Sequence, residues 1–150
     1  MLRLDHVVVP IWHVKKSLAF YRDFLGLKLT DAQEGDEWGG RRWLMLSFTL
    51  ADQRQIVLAY LRGVRRPAAG PLPKDLRRIT LTQTAALDRW RVKLTKAEIA
   101  YSETEEGERR VISFEDPNGN MLALTSPQLM APKPDPEEVM AVLRRWTKDV

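Results

Sequence analysis

His6 and His13 are the only two imidazoles in this chain of 150 residues, and it contains no cysteine. An imidazole near neutral pH can relay a proton, donate a hydrogen bond or ligate a metal. The lack of cysteine excludes disulfides, thiolate metal sites and thiol nucleophiles. His6 lies in an apolar run, either as a hydrogen-bonded structural histidine or as a pocket donor or acid/base group. His13 falls where a helical pattern starts, either as an exposed helix-start residue or as a base at a cleft mouth. Basic pairs recur at Lys15-Lys16, Arg41-Arg42, Arg65-Arg66, Arg77-Arg78, Arg109-Arg110 and Arg144-Arg145, and the net charge is +4. Scattered pairs read as solvated strand edges and helix faces, or as anchors for an anionic ligand such as a carboxylate or phosphate. No nucleic-acid-binding motif accompanies them, so nucleic acid is not an expected partner. No apolar run is long enough to cross a membrane, and the first residues lack a signal-peptide pattern. A cytoplasmic location is therefore expected.

The elements that must hold these residues form a repeat. Leu4 to Ile11 is apolar and β-branched, which predicts a strand. Val14 to Leu25 has apolar positions three and four apart, which predicts a helix ended by Gly26. Leu27 to Thr30 reads as a short strand, and Gln33 to Gly40 as a loop. Trp43 to Leu50 and Gln55 to Leu61 read as strands joined by a tight turn at Ala51-Asp52-Gln53-Arg54. After a proline- and glycine-containing linker, Gly63 to Lys74, the same β-α-β-β-β order returns. Its members are a strand at Arg78 to Gln83, a helix at Leu87 to Ala97, a short strand at Ile99 to Ser102, a charged loop at Thr104 to Glu108, and strands at Arg110 to Phe114 and Met121 to Thr125. The last two are joined by Asp116-Pro117-Asn118-Gly119-Asn120, in which Asn-Gly supplies a positive φ. A second proline-rich linker leads to a C-terminal helix capped by Asp135, with Val139, Val142, Leu143 and Trp146 in one stripe. The predicted fold is α+β within one domain: module one at 2–62, a linker at 63–75, module two at 76–126 and an extension at 127–150. Each module has one helix for one sheet, so one sheet face is left open, and two curved sheets enclose a cleft.

Two stretches carry a family resemblance. Leu4-Asp5-His6-Val7-Val8-Val9-Pro10 with Ser17-Leu18-Ala19-Phe20-Tyr21-Arg22-Asp23-Phe24-Leu25-Gly26-Leu27 resembles the opening module of the glyoxalase/bleomycin resistance/extradiol dioxygenase (vicinal oxygen chelate) superfamily. Ser113-Phe114-Glu115-Asp116-Pro117-Asn118-Gly119-Asn120-Met121-Leu122 resembles its closing hairpin. The resemblance implies small-molecule chemistry of lyase, isomerase or dioxygenase type, or ligand sequestration, and in many members a homodimer. In the family's enzymes a divalent metal is held by His or Gln near the start of each module and Glu near its end. His6 matches the first position. The second falls on Arg78, or on Thr80 if the strand register slips, and the carboxylate positions fall on Ala59 and Ala123. One ligand in four does not hold a catalytic metal, so no cofactor is expected and a metal would have only His6.

What remains is a pocket. Alternation from His6 and Ala59 puts Val8 and Val57 on the cleft side, with Trp38 and Trp43 as aromatic walls and Arg78 as a cation for a carboxylate or enolate-like oxygen. The leading expectation is a metal-independent protein that binds an anionic or aromatic small molecule. The alternatives are a metal-dependent lyase or dioxygenase and a metal-free lyase or isomerase using His6 and Arg78.

Overall fold

A computed structural model describes residues 1–68, 70, 72–127 and 133–148. The doubled order is present. Module one runs β1 (His6–Pro10), α1 (Val14–Leu18), a π-helical turn over Ala19–Phe24, β2 (Lys28–Trp38), β3 (Arg41–Thr49) and β4 (Gln55–Leu61). Module two runs β5 (Ile79–Thr82), α2 (Leu87–Lys96), β6 (Tyr101–Glu106), β7 (Arg109–Glu115) and β8 (Met121–Thr125), and α3 (Pro136–Thr147) comes last. Each module forms its own four-stranded mixed sheet, ordered β1-β4-β3-β2 and β5-β8-β7-β6. In both, the first strand runs parallel to the last and the other neighbours are antiparallel. The fold is α+β.

Two segments read as loops are strands. Gln33 to Trp38 continues β2, paired with β3 as far as Trp38 opposite Arg41. Thr104 to Glu106 completes β6, with Glu105 opposite Arg110. Both are sheet edges, and β6 is exposed along its whole length. An edge strand wet on both faces needs no apolar alternation, so its polar and charged residues hide it from a periodicity reading.

Alternation sets two faces on each sheet. Val9, Ile56, Leu58, Leu46 and Phe48 of the first sheet join Ile112, Phe114, Leu122 and Leu124 of the second in one buried cluster. Phe20 and Tyr21 join them: the Phe20 ring lies 6.0 Å from Phe114 and the Tyr21 ring 6.0 Å from Phe48. One face of each sheet therefore contributes to a common core that also takes in the first helical segment. The opposite, outer face of each sheet points away from this cluster and carries the expected cleft residues.

Candidate functional site

Three pairings define the outer face of the first sheet: His6 with Gln55, Val8 with Val57, and Pro10 with Ala59. On β3, Trp43 and Met45 sit opposite Leu61 and Ala59 and extend that face. His6, Val8, Trp43, Val57 and Ala59 therefore share one face, with His6 near the Gln55 end of β4 and Trp43 at its Leu61 end. Val8 is 54% exposed although it is aliphatic and central to the patch, whereas Val57 is 7% exposed. Gly35, opposite Trp43 on β2, makes room for the indole: a Cβ there would fall 2.7–2.8 Å from the ring. Trp38 stands apart, 62% exposed beside the Gly39-Gly40 turn that joins β2 to β3. His6 Nδ1 lies 2.7 Å from Asp5 Oδ2, an exposed pair beside this face.

Thr80, Ala123 and Arg78 belong to the second sheet. Thr80 pairs with Ala123, and Arg78 precedes β5. The guanidinium of Arg78 reaches Glu106 at 2.5 Å. β5 and β6 are opposite edges of this sheet, so the ion pair links the two edges. The shared hydrogen bond raises the Arg78 pKa above the usual arginine range and holds the Glu106 carboxyl below the usual carboxylate range. Ala123 is fully buried, and Val111 and Ser113 of the same face are nearly so. Among the described residues, no hydrogen bond connects Arg78 or Thr80 to the residues around His6.

The modules superpose by their hydrogen bonds. Ile11 N donates to Ala59 O at 2.9 Å as Gln83 N donates to Thr125 O at 3.0 Å. Leu50 N donates to Arg54 O as Asp116 N donates to Asn120 O. With the strand registers, this makes Arg78 the counterpart of His6, and Val57, not Ala59, the counterpart of Ala123. A divalent ion would need donors at these positions. Valine and alanine offer none, and a guanidinium is itself a cation. His6 and its strand neighbour Gln55 supply an imidazole and an amide oxygen, short of the roughly three protein ligands of a catalytic site. Among the described residues, no three His, Asp or Glu side chains gather in a metal-binding group. The residues do not fit the family's metal.

The sequence reading missed a buried polar lock. Asp116, 5% exposed, accepts hydrogen bonds from the Tyr21 hydroxyl at 2.7 Å, from the Asn118 and Asn120 backbone N–H groups at 2.8 Å each, and from both asparagine amides. Asn118 in turn accepts from the Trp12 and His13 N–H groups and donates to Ser17. Burial, with the Asp116 charge and hydrogen bond adding to it, pushes the Tyr21 hydroxyl pKa well above the ordinary tyrosine range. His13 is thus held through its backbone, at an exposed helix start. The signal was present: Tyr21 and Asp116 lie in the two motifs that carry the family resemblance, and these motifs bond to each other.

The family model for the Glyoxalase/Bleomycin resistance protein/Dioxygenase superfamily matches residues 3–124. The chain belongs to this superfamily. Its fold is similar to a glyoxylase/bleomycin resistance protein/dioxygenase domain from Frankia sp. EAN1pec, at 18% identity and TM-score 0.69, covering 85% of this chain and 99% of that one. It is similar to the trypanothione-dependent glyoxalase I of Leishmania major, at 14% identity and TM-score 0.68, covering 99% and 97%. It is also similar to TnmS3, an antibiotic binding protein from Streptomyces sp. CB03234, at 23% identity and TM-score 0.62, covering 85% and 98%. No curated protein matches the sequence. Identities this low speak for the fold, and the superfamily's fold hosts more than one activity. Among the described residues, no helix is long and apolar enough to cross a membrane.

Proposed function

We propose that this superfamily member is a metal-independent small-molecule-binding protein of the cytoplasm. It holds a flat apolar or aromatic ligand, preferably anionic, against the outer face of the first sheet. The observation that carries the reading is that face itself: an exposed Val8 beside Val57, with Ala59 and Trp43 further along the same face, in a setting where three of the four positions for metal donors hold valine, alanine and arginine. Aromatic and aliphatic walls with few polar groups favour binding through desolvated contact area. The antibiotic-binding function of TnmS3 offers a parallel within the same fold. The metal-dependent lyase and dioxygenase readings lack donors. The metal-free lyase reading asks His6 and Arg78 to act together, yet they lie on separate sheets and Arg78 is already neutralised by Glu106. A second copy of the chain is the natural cover for the outer sheet face. The stripe Val139, Val142, Leu143 and Trp146 of α3, 44–80% exposed, is a candidate contact in that homodimer.

The deciding experiment combines metal content with binding. The protein is incubated with Zn²⁺, Ni²⁺, Mn²⁺ and Fe²⁺, desalted and analysed for bound metal. No retained ion is expected. One ion per chain that disappears in His6→Ala overturns the reading. Calorimetry with 2-naphthoate should then give saturable binding that Val8→Asp weakens about tenfold or more, the scale of losing a well-packed apolar contact.

A further inference from the structure

The two modules repeat each other, but the seam between them is closed at one end and open at the other. At the closed end, the β7–β8 turn locks onto the end of β1 and the start of α1. Asn120 donates to Pro10 O, Asn118 accepts from Trp12 and His13, and Asp116 accepts from Tyr21. By the module correspondence, the β3–β4 turn should lock in the same way onto the end of β5. Its side chains are different. Leu50 stands in the place of Asp116, Asp52 in that of Asn118 and Arg54 in that of Asn120. Asp52 accepts from the backbone N–H of Arg54, within its own turn. Among the described residues, no hydrogen bond crosses from this turn to the end of β5. A groove of about 700 Å³ takes the place of the missing lock.

Val7, Leu27, Ile79, Leu81 and Trp90 give its walls much apolar surface. Thr49, Gln55, Thr80, Thr82 and Gln83 add polar groups to the lining. Gln83 occupies the position that the buried Ile11 holds in module one. Its Oε1 accepts from the Trp90 indole N–H at 3.2 Å, while its Nε2 is shielded from solvent and has no acceptor. A buried donor without a partner costs free energy that a bound acceptor would recover. At the groove's rim, Lys28 and Arg54 outnumber Asp52, and Arg54 lies 3.5 Å from that carboxylate. Lys28 has no ion pair among the described residues. The volume falls within the usual range for small-ligand sites.

We propose that this groove is a second small-molecule site, separate from the outer face of the first sheet, and that it takes an amphipathic monocarboxylate. The apolar body lies between the β3–β4 turn and β5. An oxygen of the ligand accepts from Gln83, and the surplus positive charge at the rim selects an anionic head over a cationic one.

The test is a titration of the ¹⁵N-labelled full chain with decanoate, kept below its micelle concentration and followed by NMR. Saturable shifts are expected at the Trp90 indole N–H and the Gln83 side-chain amide. Gln83→Leu, which restores the apolar character of the module-one counterpart, should weaken binding roughly tenfold, as expected for one hydrogen bond. Lys28→Glu, an exposed change that leaves the core intact, should weaken decanoate and remove its advantage over decyltrimethylammonium. Val8→Asp should leave decanoate binding unchanged, which separates this site from the one that binds 2-naphthoate. The proposal is overturned if decanoate shifts neither group, if decyltrimethylammonium binds the unaltered protein equally well, or if Val8→Asp abolishes the shifts.

Discussion

Removing the Asp116 side chain should be among the most damaging single changes to this protein, although Asp116 touches no expected ligand. In Asp116→Ala, five hydrogen bonds lose their acceptor. They do not count equally. Asn120 is only part-buried, and its amide also donates to Pro10 O, so water and that carbonyl can serve it. The Asn118 amide keeps its bond to Ser17. Among the described residues, the Tyr21 hydroxyl and the Asn118 backbone N–H have no second acceptor, and they belong to residues 0% and 1% exposed. Each stranded buried donor costs about 1–3 kcal/mol, so the pair gives about 2–6 kcal/mol. Release of the carboxylate's own desolvation penalty offsets part of this, and the expected loss is about 2–4 kcal/mol. For a chain of this size that lowers Tm by roughly 5–15 °C. Urea denaturation at neutral pH measures it, with Asp52→Ala in the counterpart turn as the exposed control, expected within about 0.5 kcal/mol. Repeating Asp116→Ala in a Tyr21→Phe background should recover about 1–3 kcal/mol as coupling energy. A loss below about 1 kcal/mol, or no coupling to Tyr21, would show that this lock does not hold the modules together.

The same geometry fixes three further outcomes. The Tyr21 pKa is raised in the folded state, so its contribution is fully present below the ordinary tyrosine pKa and is lost as pH rises above about 10, by about 1.4 kcal/mol per pH unit; Tyr21→Phe should show a shallower alkaline loss in urea titrations, and equal slopes would contradict the burial of this hydroxyl. Gly35→Ala drives a Cβ into the Trp43 ring and should cost about 1–3 kcal/mol while changing the near-UV circular dichroism of the indole; an unchanged spectrum would mean that Trp43 does not lie across Gly35. Replacing Val139, Leu143 and Trp146 by serine should leave the melting of the dilute chain nearly unchanged, because α3 has no buried residue. The same change should lower the dimer fraction in sedimentation velocity, and unaltered sedimentation would remove α3 from the proposed dimer contact.

Repetition and periodicity made most of the fold legible in the sequence. β4 and β8 begin and end where the apolar runs do, because both are central strands whose inner faces are buried. The cap of α3 was legible for a local reason: Asp135 accepts from the Glu137 N–H with Pro136 at the first helical position. Only the starts of the edge strands β2 and β6 were read as strands, because exposure removes from the rest the pattern that marks one. The site was legible as a face but not as a neighbourhood. Alternation groups His6 with Val8 and Val57 with Ala59, since the face a side chain takes along its own strand is local information, whereas the β1–β4 register that sets the two pairs on one face is not. Nor does alternation tell that Arg78 is tied to Glu106 at the far edge of its own sheet.

The lock and the groove mark the limit of such reading most clearly, because both arise from one comparison between two turns of equal length. Asp116, Asn118 and Asn120 look like ordinary turn residues until Tyr21 and the start of α1 are set against them. Leu50, Asp52 and Arg54 look equally ordinary, yet their side chains leave the matching end of the seam unlocked. Duplication alone would predict two locks or two grooves. Divergence of three side chains in one turn gives one of each: a closed end that holds the modules in place, and an open end whose Gln83 amide still lacks an acceptor. Stability and binding capacity can then be altered independently, since the Asp116 network and the Gln83 groove share no side chain.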